Sequence, residues 1–150
     1  MPFLSSLNIS ASGMTAQRLR LDVAAENISN METTRTADGE AYRRKMVVFQ
    51  EEENTFRGAL RRAEQQSLTH RGDKSGGVVV TQIVEDPTAL EMVYDPSHPD
   101  ADENGYVAMP NIDLVKETTD AMAATQSYTA NITAFNAIKL MAQKALEIGK

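Results

Sequence analysis

The amino-acid sequence predicts an α+β fold, with a long helix at each end and a small β-rich region between them. Apolar and small residues recur at alternating steps of three and four in residues 1–30 and again in 111–150, which is the spacing of one helix face. Between them, residues 31–110 carry β-branched runs separated by Asp-Pro and Asn-Gly turns. At 150 residues, the chain has room for one modest core.

The N-terminal helix is predicted by a seam of residues that follow one another by three or four positions. Arg18 is the one charged residue in this seam, and Gly13 costs the helix about 1 kcal/mol relative to Ala. The helix is therefore poorly suited to stand alone. We expect an assembly interface along the seam residues Leu4, Leu7, Ala11, Met14, Leu21, Ala25 and Ile28, together with Asn27 and Asn30 at the end of the helix.

The middle region is predicted to form a small antiparallel sheet. Its strands are expected in "YRRKMVVFQ" (42–50), "GVVVTQIVE" (77–85), "ALEMVY" (89–94) and the "YVAM" that follows an Asn104-Gly105 turn. Residues 53–76 are rich in charge and glycine and have no periodicity, which predicts a mobile loop.

The C-terminal helix is predicted to be the longest element. At 1.5 Å per residue it would extend over roughly 50 Å, more than a compact domain of this size requires. Pro110 is placed to precede the helix and Gly149 to end it. Its seam, the second half of the expected interface, is Ala121, Ala124, Tyr128, Asn131, Phe135, Ile138, Ala142 and Ala145.

Charge is distributed unevenly along the chain. Both helical regions are neutral, so the middle region holds the whole net charge of -6. Residues 2–17 and 121–138 contain no Asp, Glu, Lys, Arg or His, although a solvated helix face normally carries charge. Their many Ser, Thr and Asn side chains argue against a membrane span. We expect other protein subunits to surround both helices, and both to become ordered only on assembly.

The sequence offers no convincing catalytic, metal-binding or cofactor-binding site. The acidic chain disfavours nucleic acid as a partner, and its 0 cysteines exclude thiolate chemistry. "DADENG" (100–105) begins like a calcium loop, but Asn111 stands where the closing Glu should be. We expect the basic run Arg43 to Lys45 to pair with an acidic loop of a neighbouring copy rather than with phosphate or a membrane.

Several segments resemble the flagellar axial proteins of bacteria. "SGMTAQRLRLDVAAENISN" (12–30) resembles their N-terminal signature, a helix that ends in Asn-x-x-Asn, here Asn27 and Asn30. "TTRTADGEAYRRK" (33–45) is similar to the proximal rod proteins of the basal body, as are residues 77–113 and "YTANITAFNAIKLMAQKALEIG" (128–149). Distal rod and hook proteins place their Gly-Tyr element sooner after the Asn pair than Gly39 and Tyr42 stand here, which favours the proximal type.

The resemblance implies a structural subunit of the periplasmic rod. Such a subunit is exported by the flagellar type III apparatus without a cleaved signal peptide, stacked helically, and transmits torque. Its partners would be copies of itself, other rod proteins, ring components of the basal body and the export apparatus.

The resemblance also implies how the helices are arranged. They would pair antiparallel as a coiled-coil-like axial domain inside the tube, with the β-rich region outside. Asn27 and Asn30 would lie where the chain leaves that domain and would bond loose backbone groups at the helix end. Another flagellar axial or tubular secretion component is the alternative in this class, and a calcium- or carbohydrate-binding module is the alternative outside it.

Overall fold

The computed structural model describes residues 2–52 and 76–148, and its elements confirm the α+β class. The predicted charged loop at 53–76 lies outside the described residues except for Gly76. In chain order the elements are helix α1 Pro2–Ser29, strands β1 Lys45–Glu51, β2 Val78–Glu85, β3 Glu91–Tyr94 and β4 Tyr106–Met109, and helix α2 Leu114–Ile148.

The chain forms two compact units, and each takes residues from both helices and from the strand region. The first unit contains the described parts of residues 1–17, 49–81 and 127–150. The second unit contains residues 18–48 and 82–126. The predicted boundaries after residues 30 and 110 lie near the ends of the helices. The two units are instead defined by which residues pack together, so each helix is divided between them.

The described strands form two separate two-stranded sheets, β1 with β2 and β3 with β4, rather than one. In the first pair the carbonyl of Arg44 accepts the N–H of Asp86 at 2.8 Å, just beyond the strand ends. The Asp86 carboxylate then accepts the N–H and the hydroxyl of Thr88, which turns the chain away from this sheet before β3 begins. Strands β3 and β4 run antiparallel.

The Asn104-Gly105 turn is confirmed between β3 and β4. Gly105 has a φ of 80°, a conformation that side chains disfavour. The Asp102 carboxylate caps the turn by accepting the N–H groups of Asn104 and Tyr106, each at 2.8 Å. A Cβ added at Gly105 would lie 3.1 Å from Cε2 of Tyr94, so this glycine also makes room for the neighbouring ring.

Within the second unit, α1 and α2 lie side by side and run antiparallel. Asn27 contacts Glu117, while Arg20, two turns earlier in α1, contacts Asp120, further along α2. Ala24 and Ala124 are buried and allow close approach of the two helices. In the described chain, no helix is long and apolar enough to cross a membrane.

Within the first unit, Gly13 of α1 faces Asn131 of α2. A Cβ at Gly13 would lie 3.1 Å from the amide atoms of Asn131. The glycine that lowers the helix propensity of α1 therefore permits a close contact with α2.

Helix α2 begins later than the sequence suggests. Asp113 caps it by accepting the N–H of Val115 at 2.8 Å and that of Lys116 at 3.3 Å. Asn111, where the helix was expected to begin, instead accepts the N–H of Arg44 and donates to the carbonyl of Thr88. It thus joins the start of β1 to the segment after β2.

Gly39 and Gly105, the two glycines with positive φ among the described residues, provide a matched test of the turn. Gly39 has a φ of 85° and nothing within 4 Å of its Cβ position. We expect Gly39→Ala to lower the free energy of unfolding by about 1–2 kcal/mol through backbone strain alone. Gly105→Ala should cost more, because its Cβ also displaces the ring of Tyr94. Equal losses in urea unfolding followed by circular dichroism would show that the ring contact is unimportant.

Candidate functional site

Asn27 is the centre of a buried polar cluster in the second unit. It is 1% exposed near the end of α1. Its Oδ1 accepts the N–H of Lys45 at 2.9 Å and the hydroxyl of Tyr42 at 3.1 Å. Its Nδ2 donates to the carbonyl of Lys45 at 2.9 Å and to Oε2 of Glu117 at 3.0 Å. The amide uses its full bonding capacity, so the cluster fixes its orientation.

The amide of Asn27 takes the place of a neighbouring strand. Because the carbonyl of Arg44 faces the segment after β2, the N–H and C=O of the next residue, Lys45, face the opposite way. These are the two groups that Asn27 bonds, with one donor and one acceptor, as an adjacent strand would. Asn27 therefore satisfies the free edge of β1 and attaches the end of α1 to it.

We expect Asn27 and Asn30 to bond loose backbone groups at the end of α1, and this is correct for Asn30 only. Asn30 donates to the carbonyl of Glu26 at 2.9 Å and so bonds a backbone group at the helix end. Its Oδ1 accepts the hydroxyl of Thr33 at 3.2 Å. The expectation is wrong for Asn27, whose backbone partner lies on β1.

Arg44 is the cationic member of the cluster and is 7% exposed. Its Nε donates to Oε1 of Glu117 at 2.6 Å. Its terminal nitrogens reach Asp120 at 3.3 Å and Asp86 at 3.5 Å. Burial alone lowers the pKa of Arg44, but the hydrogen bond and charge of Glu117, with those of Asp86 and Asp120, outweigh burial and raise the pKa. The guanidinium therefore stays charged.

Glu117 connects Arg44 to Asn27. It is 2% exposed, and each carboxylate oxygen accepts one hydrogen bond, Oε1 from Arg44 and Oε2 from Asn27. It lies in the first turn of α2, where the helix dipole stabilises a negative charge. A buried carboxylate is tolerated only with such partners, so Glu117 and Arg44 depend on each other.

Tyr42 acts as a neutral hydrogen-bond donor in the cluster. Burial, together with the negative charges of Glu26, Glu117 and Glu85, raises the pKa of Tyr42 to about 12. The phenol therefore keeps its proton near neutral pH and donates it to Asn27. The pKa of Asp86 shifts in the other direction, because the hydrogen bonds from the hydroxyl and N–H of Thr88, and then Arg44, lower it.

The expectation that the run Arg43 to Lys45 binds a neighbouring copy is wrong for two of its residues. Arg44 is occupied by the three carboxylates of its own chain. Lys45 pairs with Glu26 at 2.5 Å, and its Nζ lies 5.4 Å from the ring centroid of Tyr42. These bases attach β1 to the helices of the same chain.

The predicted interface residues lie at different depths, and their contact with other subunits stays a prediction. In α2, Ala124 is buried, Ala145 is exposed, and the partly buried ones are Ala121, Tyr128, Asn131, Phe135, Ile138 and Ala142. In α1, Leu4 and Ala25 are exposed, and the partly buried ones are Leu7, Ala11, Met14, Leu21 and Ile28; Asn30, just after α1, is partly buried too. The most buried side chains of α1, apart from Asn27, are Ser10, Ala16, Val23 and Ala24.

Polar side chains in the uncharged stretch of α2 bond their own helix. Thr125 donates to the carbonyl of Ala121 at 2.9 Å, and Thr133 donates to that of Thr129 at 3.0 Å. Asn131 donates to the carbonyl of Ser127 at 2.9 Å. Because these donors already have acceptors, another protein can cover this surface without leaving them unpaired.

The acidic turn that resembles half a calcium loop uses its carboxylates in separate contacts. Asp100 accepts the hydroxyl of Thr34 at 2.8 Å and lies 3.6 Å from Arg35, whereas Asp102 caps the turn. Within residues 2–52 and 76–148, no group of three or more His, Cys, Asp or Glu side chains could hold a metal ion.

Sequence reasoning missed Tyr42, Arg44, Asp86, Glu117 and Asp120 as members of one site. One signal was available. Glu117 and Asp120 lie one turn apart in α2, immediately before its uncharged stretch, so they share a face and need a cation. The sequence does not show which cation that is, because Arg44 is 73 positions from Glu117.

Comparison with known proteins places these observations in a family. Residues 7–35 match the family described as flagella basal body rod protein, and residues 103–148 match the C-terminal family of the flagellar basal body rod proteins FlgEFG. The flagellar basal-body rod protein FlgC of Bacillus subtilis is 48% identical over 149 residues, which cover 97% of each chain.

More distant relatives match over the same length. FlgC of Borreliella burgdorferi is 39% identical over an alignment of 155 residues, covering 99% of this chain and 98% of its own. FlgC of Salmonella typhimurium is 38% identical over 150 residues and 100% of both chains.

Asn27→Asp tests whether the amide holds the cluster together. The substitution keeps the shape but removes both donors, and it brings a carboxylate against Glu117 and the carbonyl of Lys45. We expect a loss of more than about 3 kcal/mol in the free energy of unfolding. Asn30→Asp, at a more exposed site, should cost about 1 kcal/mol or less. Similar midpoints of urea unfolding for the two variants would contradict the proposed role of Asn27.

A double-mutant cycle tests the dependence of Arg44 on Glu117. Arg44→Met or Glu117→Leu alone leaves a buried charge without its partner and should cost about 3–5 kcal/mol. The double variant removes both charges, so it should lose clearly less than the sum of the single losses. Additive losses in urea unfolding would mean that the two side chains do not interact energetically.

Proposed function

The chain belongs to the FlgC family of flagellar basal-body rod proteins and is a structural subunit of the rod. From this premise we propose that it enters the rod through the uncharged stretches of its two helices, without performing any catalysis. Its partners are copies of itself and other rod proteins, with contacts to ring components. The type III export apparatus delivers it, without a cleaved signal peptide, to the part of the rod that crosses the periplasm.

The uncharged surface of α2 is the observation that carries this proposal. From residue 121 to 138 the helix has no charged side chain, although many of its side chains are exposed, among them Met122 at 66%. A water-facing helix with such a surface is unusual. Because Thr125, Asn131 and Thr133 already bond their own helix, neighbouring helices can cover this surface at little desolvation cost.

The polar cluster has a different part in this proposal. It holds the end of α1, the start of β1 and the start of α2 together with hydrogen bonds and ion pairs. Residues 18–30 and 114–126 are thereby attached to the strand region within one chain. Residues 2–17 and 127–138 of the uncharged stretches have fewer such anchors, so they become ordered when neighbouring subunits cover them.

A fixed junction combined with helix stretches that become ordered on assembly is compatible with both export and the transmission of torque. With 0 cysteines, the fold has no disulfide that would resist unfolding before export. After assembly, many helix contacts share the load, and the cluster passes it between the helices and the strand region. A buried, geometrically fixed network such as that of Arg44 and Glu117 is suited to hold this junction in one arrangement.

Charges placed on the seam test this mode of assembly. Met14→Asp or Phe135→Asp puts a carboxylate where neighbouring helices would have to bury it, which costs several kcal/mol per ion. We expect each variant to be lost from salt-washed basal bodies when its amount is measured by mass spectrometry. Ala37→Asp, an exposed change between α1 and β1, is the control and should be retained. Normal amounts of either seam variant in intact rods would contradict the proposal.

A further inference from the structure

The β3–β4 hairpin presents an exposed aromatic face that the cluster and the helix seams do not explain. Its register places Met92 beside Ala108 and Tyr94 beside Tyr106 on one face. Tyr94 is 65% exposed and Met92 is 56% exposed. The two tyrosine rings contact edge to face, with centroids 5.3 Å apart. We call these four residues the hairpin face. Tyr and Met are enriched in protein interfaces, so this face has the composition of a docking surface.

The charge around the hairpin face restricts what can cover it. Residues 91–109 contain five acidic residues, Glu91, Asp95, Asp100, Asp102 and Glu103, and no Lys or Arg. Of these, Asp100 has a cationic neighbour in Arg35, while Glu91, Asp102 and Glu103 are exposed. Two hairpins of this kind would repel each other, which disfavours a symmetric contact. The hairpin face therefore fits an apolar surface with basic neighbours.

One segment of the chain has that chemistry. Residues 139–146 of α2 contain two lysines and no acidic residue. Leu140 and Met141 are 59% and 63% exposed, and Lys144 lies one turn further along the helix beside them. Lys144 is 73% exposed in its side chain, and its pairing with Glu147 at this exposure contributes little. We call this segment the basic turn.

We propose that the hairpin face of one copy docks on the basic turn of a neighbouring copy. Met92 to Tyr94 spans about 7 Å along the strand, and one helical turn spans about 5.4 Å, so the two surfaces match in length. Two different surfaces meet in this contact, and such contacts repeat into a ring or, where the rotation does not close, into an open helical array of the kind that a rod requires. This inference rests on the proposed assembly into the rod and assigns one contact within it.

A photo-crosslinker in place of Tyr94 tests the contact in assembled basal bodies. Benzoylphenylalanine at this position should produce a covalent dimer of twice 16.5 kDa after illumination. Peptide mass spectrometry should then locate the adduct within residues 139–146 of the second copy. The same crosslinker at Val93, which lies on the opposite face of β3, is the matched control and should not give this adduct.

The outcomes separate the contact from the wider proposal. An adduct with another protein, with another segment, or no adduct in basal bodies that contain the chain would overturn this contact and leave rod assembly intact. Absence of the unmodified chain from basal bodies would overturn both. If crosslinker at Tyr94 prevents incorporation, Met92 on the same face is the second position, and the same adduct is expected there.

Discussion

The pair of hydrogen bonds between Asn27 and the backbone of Lys45 fixes where α1 meets β1. A helix end and a strand edge each present backbone groups that must find partners, and a side chain that both donates and accepts can satisfy the strand edge. Aspartate has no donor, and a serine hydroxyl has only one. Asn27 needs two donors, because its second N–H holds Glu117 and through it Arg44. The position of α2 against β1 therefore follows from the same amide.

The ion pairs around Arg44 contribute more to selecting one arrangement of strand and helices than to the free energy of unfolding. Burying Arg44 and Glu117 removes both from water, and their attraction offsets that cost only while the geometry holds. Asp86 and Asp120 bind the remaining nitrogens and come from two other parts of the chain. Few arrangements of strand and helix satisfy all of these groups at once. The cluster therefore disfavours alternative registers of the two helices, whose other buried side chains, Ser10, Ala16, Val23, Ala24 and Ala124, are short.

Local features of the fold could be predicted from the sequence, while its long-range pairings could not. The helices, the strands and the Gly105 turn depend on neighbouring residues, so periodicity and turn chemistry indicated them. Arg44 could have paired with any of the chain's many carboxylates, and no spacing rule selects Glu117, which is 73 positions away. The α1 seam was harder for another reason. The most buried residues of α1 include Ala16 and Ala24, which lie outside the predicted seam, and small residues carry a weak signal on a helix with little charge.

The central claim is that the cluster holds residues 18–30 and 114–126 in place, whereas residues 2–17 and 127–138 of the uncharged stretches depend on neighbouring subunits. Hydrogen exchange of the purified chain at low concentration, compared with the assembled rod, tests this most directly. We expect slow exchange at residues 21–28 and 117–124 in both states. Residues 4–11 and 132–143 should exchange quickly in the isolated chain and slowly in the rod. Equal protection along the whole of both helices in the isolated chain would contradict the account, as would rapid exchange at 21–28.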